Sequence, residues 1–171
     1  LIGSEAALAH EYENRMGGWL GERQFELIKK MKVAETTIQF TFAPTDVMPW
    51  HQNAEDNGIE FTPGQYLTIR LPGKGMSPRH YTITSPPKSN VLQITSRLVP
   101  DGAVSTFMHY EFQVGYRCLL GVPCGLFTPF PDRDIVMISA GIGITPMYSF
   151  LTNTDNSKIK GFLHFDKAPE R

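Results

Sequence analysis

Cysteine is scarce, long apolar runs are missing, and neither sign of charge dominates. The two cysteines, Cys118 and Cys124, form a lone C-x5-C. A zinc site wants closer pairs and further ligands, and a small secreted scaffold wants more cysteines. They read as buried free thiols of a reducing compartment, which points to the cytoplasm. The histidines, His10, His51, His80, His109 and His164, show no H-x3-H or H-E-x-x-H spacing, so no metal site is expected. No apolar run approaches the roughly 18 residues that a membrane-spanning helix needs. Lys and Arg number 16 against 17 Asp and Glu, a net charge of −1. That balance gives no electrostatic case for nucleic acid or an anionic membrane. The opening "LIGSEAALAHEYENRMGG" carries acidic residues and no basic n-region, so it is not a secretory signal. It lacks an initiator Met, and the chain is expected to be cut from a longer one.

What is present is globular in composition. With 171 residues, 41% hydrophobic and 19% charged, the chain can hold one substantial domain, or one domain and part of a second. Residues 4–15 are good helix formers after a candidate N-cap at Ser4, stopped by Met16-Gly17-Gly18. Trp19 to Gly21 reads as a connector. From Gln24 the period becomes two. "QFELIKKMKV" alternates imperfectly, and "TTIQFTFAP" places Ile38, Phe40 and Phe42 on one face. "DVMPWHQNAEDNGIEFTPG" is a polar insertion. Further strands follow in "QYLTIRLPG", "RHYTIT", "NVLQITSRL" and "YRCLLGVP", with a short helix in "DGAVSTFMHYEF". Many short strands with one helix predict an antiparallel barrel from Gly21 to Pro131, because closure removes sheet edges. The tail, "RDIVMISAGIGITPMYSFLTNTDNSKIKGFLHFDKAPER", predicts a single β-α-β unit, the start of a parallel, doubly wound sheet.

Four motifs carry chemistry. "SPRHYTITSPP" is a strand fenced by prolines that brings together a guanidinium, an aromatic ring and hydroxyls. Such a set can hold a planar, phosphate-bearing molecule; read alone, it is a cross-strand ion pair and a packed tyrosine. "PGQYL" puts Tyr66 on the preceding strand, where a turn and a core aromatic would be the plain reading. "DGAVS" is a Gly-containing helix start suited to anionic oxygens, or simply a cap. "ISAGIGITPM" places Gly141 and Gly143 between a strand and a helix, with Thr145 and Pro146 in the first turn. It is not G-x-G-x-x-G, since Met147 follows, and a lone G-x-G is weak evidence. Their order and spacing make four bland readings together a poor account.

In that order, "PGQYL", "RHYTITSPP", "DGAVS" and "SAGIGITPM" resemble the ferredoxin–NADP reductase superfamily, over about Gly21 to Arg171. The closer resemblance is to the reductase part of flavohaemoglobins (nitric oxide dioxygenases), because "YENRMGGWLGERQFELIKK" looks like their junction between the last globin helix and the first barrel strand. The resemblance implies a mainly β fold: a six-stranded antiparallel FAD-binding barrel followed by the start of an α/β NAD(P)-binding domain, preceded by a remnant globin helix. Expected boundaries are 1–18 for the helix and connector, 19–131 for the barrel and 132–171 for a truncated NAD(P) unit.

By the same resemblance, Arg79 pairs with the FAD pyrophosphate, Tyr81 packs on the isoalloxazine, and the Thr82 hydroxyl sits near the reactive flavin nitrogen as the catalytic group. Tyr66 and His80 are further flavin contacts. Gly102, Val104 and Ser105 present backbone N–H groups and a hydroxyl to the pyrophosphate. Gly141, Ile142, Gly143, Ile144, Thr145 and Pro146 hold NADH or NADPH. Implied cofactors are FAD and a nicotinamide dinucleotide, with haem only in an upstream globin domain of the same parent chain. O2 and nitric oxide are the implied small molecules, and neither nucleic acid nor membrane is expected as a partner. The implied route is hydride to FAD, then single electrons to haem.

The chain departs from the flavohaemoglobin pattern at Thr82 (usually Ser), His80 (usually Gln) and Leu126 (usually Asp). It also ends before the segment whose aromatic residue covers the flavin. Asp166, Lys167 and Arg171 point both ways on NADH against NADPH, and the family favours NADH. Two other readings share the residues: a reductase serving a separate partner protein, and an orphan barrel that holds no flavin.

Overall fold

A computed structural model describes residues 18–46, 58–73, 75–130 and 132–167, together with 6, 7, 10 and 11. Residues 6, 7, 10 and 11 are helical, and the rest of the helix expected over 4–15 lies outside the described residues, as does 47–57 of the polar insertion. Among the described residues no helix is long and apolar enough to cross a membrane.

The period-two stretches become strands: β1 (Glu22–Ala34), β2 (Thr37–Pro44), β3 (Tyr66–Arg70), β4 (Arg79–Thr82), β5 (Leu92–Arg97) and β6 (Arg117–Gly121). They form one antiparallel six-stranded sheet in the order β4-β3-β6-β1-β2-β5. The edge strands meet through a bridge between Ile83 and Ile94, reinforced by the Thr84 N–H donating to the Gln93 carbonyl at 2.8 Å. The sheet thus curls on itself and its ends touch, which is the barrel expected from edge removal.

Alternation sends Phe25 and Leu27, Phe40 and Phe42, Leu67 and Ile69, and Leu92 and Ile94 into the interior, all fully buried. Ile38, expected on that face, packs against the core only partly buried. Trp19, read as a connector, is an anchor: it is buried and its Nε1–H donates to the Leu120 carbonyl at 2.9 Å. Cys118 is buried and Cys124 half-buried, so only one thiol is buried in the expected way.

Between β5 and β6 runs a helical segment. α1 (Ala103–Thr106) continues directly into a π-helical turn, Phe107–Glu111, closed by the Phe112 N–H donating to the Phe107 carbonyl at 2.8 Å. Met108 and Phe112 plug one end of the barrel, both fully buried.

The tail is the predicted β-α-β unit: β7 (Ile135–Ala140), a 3-10 turn over Gly141–Gly143, α2 (Ile144–Asn153) and the parallel strand β8 (Ile159–Phe165). Its small core is Met137, Met147 and Phe150. The unit seats on the barrel at Gly64, whose N–H donates to the Ser149 hydroxyl at 3.2 Å, beside the stacked rings of Phe127 and Phe150.

Candidate functional site

Where the barrel meets the β-α-β unit, a cavity of about 540 Å³ opens between β4, the end of β5, the start of α1 and the glycine turn. It gathers most residues singled out in the sequence: Arg79, His80, Tyr81 and Thr82 from one wall; Gly102, Val104 and Ser105 from a second; Ile142, Gly143, Thr145 and Pro146 from a third. Tyr66, Gly141 and Ile144 do not line it. Sequence reading missed Thr95, Ser96 and Arg97 at the end of β5, and Val99 and Ala103 beside them. The signal was available in part, because Arg97 is the exposed residue that ends the alternation of "LQITSR".

The cavity's charge is one-sided. Arg79 and Arg97 both line it and, among the described residues, no Asp or Glu does. The Arg79 guanidinium touches only the carbonyls of Ser77 and Pro78, at 3.3 and 3.0 Å, and makes no ion pair among the described residues. The expected alternative, a cross-strand salt bridge, is therefore not what Arg79 does. Two guanidinium groups without carboxylates, in a shared cleft, call for an anion, and their planar forks suit phosphate.

Strand alternation divides the "RHYT" motif between two faces. Tyr81 stands opposite Leu67 and Arg79 opposite Ile69, on the side where both aliphatic partners are buried. Tyr81 packs against the barrel core, with the Ser96 side chain near its phenol. Burial raises its pKa, opposed by the Ser96 side chain and the Arg79 charge, so it stays a neutral phenol at pH 7. Thr82 stands opposite Tyr66 and His80 opposite Thr68, on the other face. Tyr66 and His80 are diagonal neighbours there and stack at 4.6 Å between ring centroids with 23° between planes. Tyr66, expected to touch a flavin, instead has His80 on its ring, because the two share a face one diagonal apart.

The second wall offers backbone rather than hydroxyl. The Ser105 Oγ, expected to face phosphate, accepts the Val99 N–H at 3.1 Å and lies 3.1 Å from the Gly102 carbonyl, to which it donates. It braces its own turn. The first N–H groups of α1 have no intrahelical acceptor and remain for a ligand. Gly102 is tight rather than open: a Cβ there would lie 2.7 Å from Ser105 Oγ. Similarly, the Thr145 hydroxyl donates to the Ile142 carbonyl at 3.1 Å. Gly143 differs, since a Cβ on it would meet nothing within 4 Å, leaving room at the head of α2. Gly141 has φ +50 and sits against Arg97, whose Nη1 would be 3.0 Å from an added Cβ.

The residues present fit a flavin dinucleotide on chemical grounds. There are two uncompensated cations for a pyrophosphate, a half-buried tyrosine for a ring, and backbone N–H groups at two helix starts.

The comparisons agree. Residues 24–128 match the family model described as "Oxidoreductase FAD-binding domain". The chain belongs to that family. A flavohemoprotein of Rhodopirellula baltica is 35% identical, over 98% of this chain and 42% of its own length. Flavohemoprotein A of Dictyostelium discoideum is 30% identical, over 90% of this chain and 40% of its own. The chain thus spans less than half the length of these relatives. Among solved structures, the flavohem-like FAD/NAD-binding domain of nitric oxide dioxygenase from Vibrio cholerae superposes with TM-score 0.72 at 25% identity, covering 87% of this chain and 64% of that one. Flavohemoglobin from Malassezia yamatoensis, with bound FAD and heme, gives 0.74 at 22% identity, covering 95% and 43%; at that identity the likeness is one of fold.

Proposed function

We propose that this chain is the FAD-binding barrel and first NAD(P)-binding unit of a flavohaemoglobin-type nitric oxide dioxygenase, an oxidoreductase acting on NADH or NADPH. The carrying observation is the cavity itself, in which two guanidinium groups without an ion pair, a neutral tyrosine and two helix starts converge with no carboxylate among the described residues that line it. Arg79 takes the flavin pyrophosphate, with the N–H groups of Ala103 and Val104 on its other side, while the Gly102 N–H is held by the Val99 carbonyl at 3.0 Å. Tyr81 presents its ring to the flavin and Thr82 its hydroxyl. Tyr66 acts through His80, holding that imidazole in the stack. Bound FAD supplies two-electron acceptance and one-electron release, the chemistry that links a nicotinamide to haem. The chain's own contribution is to hold phosphates, keep Tyr81 protonated and leave the space above Gly143 for the dinucleotide.

By this reading residues 19–131 are the barrel domain and 132–171 the start of the NAD(P) unit, with 1–18 ending a globin domain of the same parent chain. Haem, O2 and nitric oxide then belong to that upstream domain. Support comes from the flavohemoprotein relatives and the "MGGW" junction, not from the barrel.

The test is anaerobic stopped-flow of the full-length protein loaded with FAD, using NADH and NADPH in turn. Flavin bleaching followed by ferrous haem bands is expected, faster with NADH. Flavin bleaching without any haem to reduce would replace this reading with a reductase serving a separate partner, and failure to retain FAD would leave an orphan barrel.

A further inference from the structure

His109 is a buried, titratable side chain four residues beyond the "DGAVS" motif, and the proposed function gives it no task. It lies in the π-helical turn, 9% exposed, with its Nε2 3.0 Å from the Ser96 carbonyl. A carbonyl can only accept, so this nitrogen carries the ring proton and donates. Ser96 is 2% exposed, and its side chain lies near the Tyr81 phenol. Ser96 and Tyr81 both line the cavity. The helical segment that carries His109 begins at Ala103–Ser105, which forms the opposite wall. One hydrogen bond therefore joins β5, whose Ser96 lines the cavity next to Tyr81 of β4, to the helix that offers backbone N–H groups.

The far end of that segment is fixed as well. Lys30 Nζ donates to the carbonyls of His109 and Phe112, at 2.7 and 3.1 Å, and sits 5.7 Å from the Phe40 ring centroid. Those carbonyls belong to a turn whose widened geometry leaves them without ordinary helical donors. With its end tied to β1, the segment cannot slide to compensate if the His109 bond is lost.

We infer that His109 is a positioning residue for the flavin site: through the Ser96 carbonyl it sets the spacing between the β4–β5 wall, with Tyr81, and the α1 wall. This inference rests on the proposed flavin site. It is separable from a plain core role because the bond ends on Ser96, a residue that itself lines the cavity.

The experiment is FAD titration of the full-length protein, wild type against His109→Leu, His109→Gln and His109→Asn, with the visible circular dichroism of bound flavin as second readout. His109→Leu keeps bulk and removes the donor; expected is about a tenfold weaker Kd, the scale of one lost buried hydrogen bond, with an altered flavin signal. His109→Gln can still reach the carbonyl and should restore both. His109→Asn is too short and should behave like Leu, so it decides the matter if the Leu variant does not fold. Combining His109→Leu with Tyr81→Phe should cost less than the sum of the two, because both act on the cavity wall that Ser96 and Tyr81 share. A folded His109→Leu with wild-type Kd and flavin signal overturns the inference, as does full additivity with Tyr81→Phe. Wild-type protein that binds no FAD overturns the proposed function itself, and this inference with it.

Discussion

The ring of Tyr66 is held between Gly125 and His80. On one side His80 stacks on it at 4.6 Å; on the other, a Cβ on Gly125 would come within 2.9 Å of Tyr66 Cδ1 and Cε1. Gly125 also has φ +115, a conformation that L side chains rarely adopt. Two costs therefore meet in Gly125→Ala, backbone strain and displacement of an aromatic ring, together about 2–4 kcal/mol. Thermal melts should show a loss of several degrees; a melting temperature within a degree of wild type would mean that the loop shifts freely and the stack is not held.

Arg79→Ala should weaken FAD binding by about 10- to 100-fold, because a charge-assisted bond to phosphate is worth roughly 1.5–3 kcal/mol. The side chain is exposed, and its contacts are only to the carbonyls of Ser77 and Pro78. Folding stability should therefore barely move, which separates a binding loss from a structural one. Arg79→Lys should recover charge but not the fork, giving an intermediate Kd. An unchanged Kd in the alanine variant would place the pyrophosphate elsewhere.

The barrel was legible because its signal is local: period-two alternation in "LQITSR" maps onto buried and exposed faces residue by residue, while in "TIQFTF" Phe40 and Phe42 are buried as expected but Thr41 between them is buried too. The β-α-β tail was legible for the same reason. Individual roles were less so. Whether Ser105 faces a ligand or braces Val99 depends on a turn whose geometry no spacing encodes. That Tyr66 meets His80 follows from the β3–β4 register, which sets diagonal partners and is fixed only once both strands are placed. Arg97 was missed because it closes a strand that was read for its alternation and not for its end. His109 was set aside as one of several scattered histidines, and its task emerges only when a helix 13 residues further along the chain returns to Ser96.

Gly64 tests how the two units seat on each other. A Cβ there would fall 2.1 Å from the Phe127 carbonyl oxygen and 2.4 Å from Phe150 Cε1, at φ +93. The first neighbour is backbone and cannot rotate away, and the buried N–H also donates to Ser149. Gly64→Ala should cost more than about 3 kcal/mol, above most single substitutions. Limited proteolysis should then cut between barrel and tail; a wild-type melt and digestion pattern would show that the junction tolerates displacement.

The two thiols should differ in reactivity. Burial pushes the Cys118 thiol up to about 12, so almost no thiolate exists at pH 8. Cys124 is only half-buried. Iodoacetamide at pH 8 followed by peptide mass spectrometry should label Cys124 first and Cys118 only after denaturation. Equal labelling in the native protein would show that β6 opens on the labelling timescale.

His109 should also leave a mark on stability against pH. Burial holds its pKa below the ordinary imidazole value and the nearby Lys30 charge adds to this, while the bond to the Ser96 carbonyl pulls the other way. In the unfolded chain the imidazole protonates near pH 6.5. Between that value and the depressed folded one, the unfolded state holds more protons than the native state. Stability therefore rises with pH across this window and falls on acidification from pH 7 toward 5, flattening once the folded imidazole also protonates. His109→Gln has no proton to take up, so it should lose this part of the slope while keeping the donor to Ser96. Urea midpoints measured from pH 5 to 7.5 for both proteins decide the point: a steeper acid loss in the wild type is expected, and parallel curves would mean that His109 does not titrate between these states.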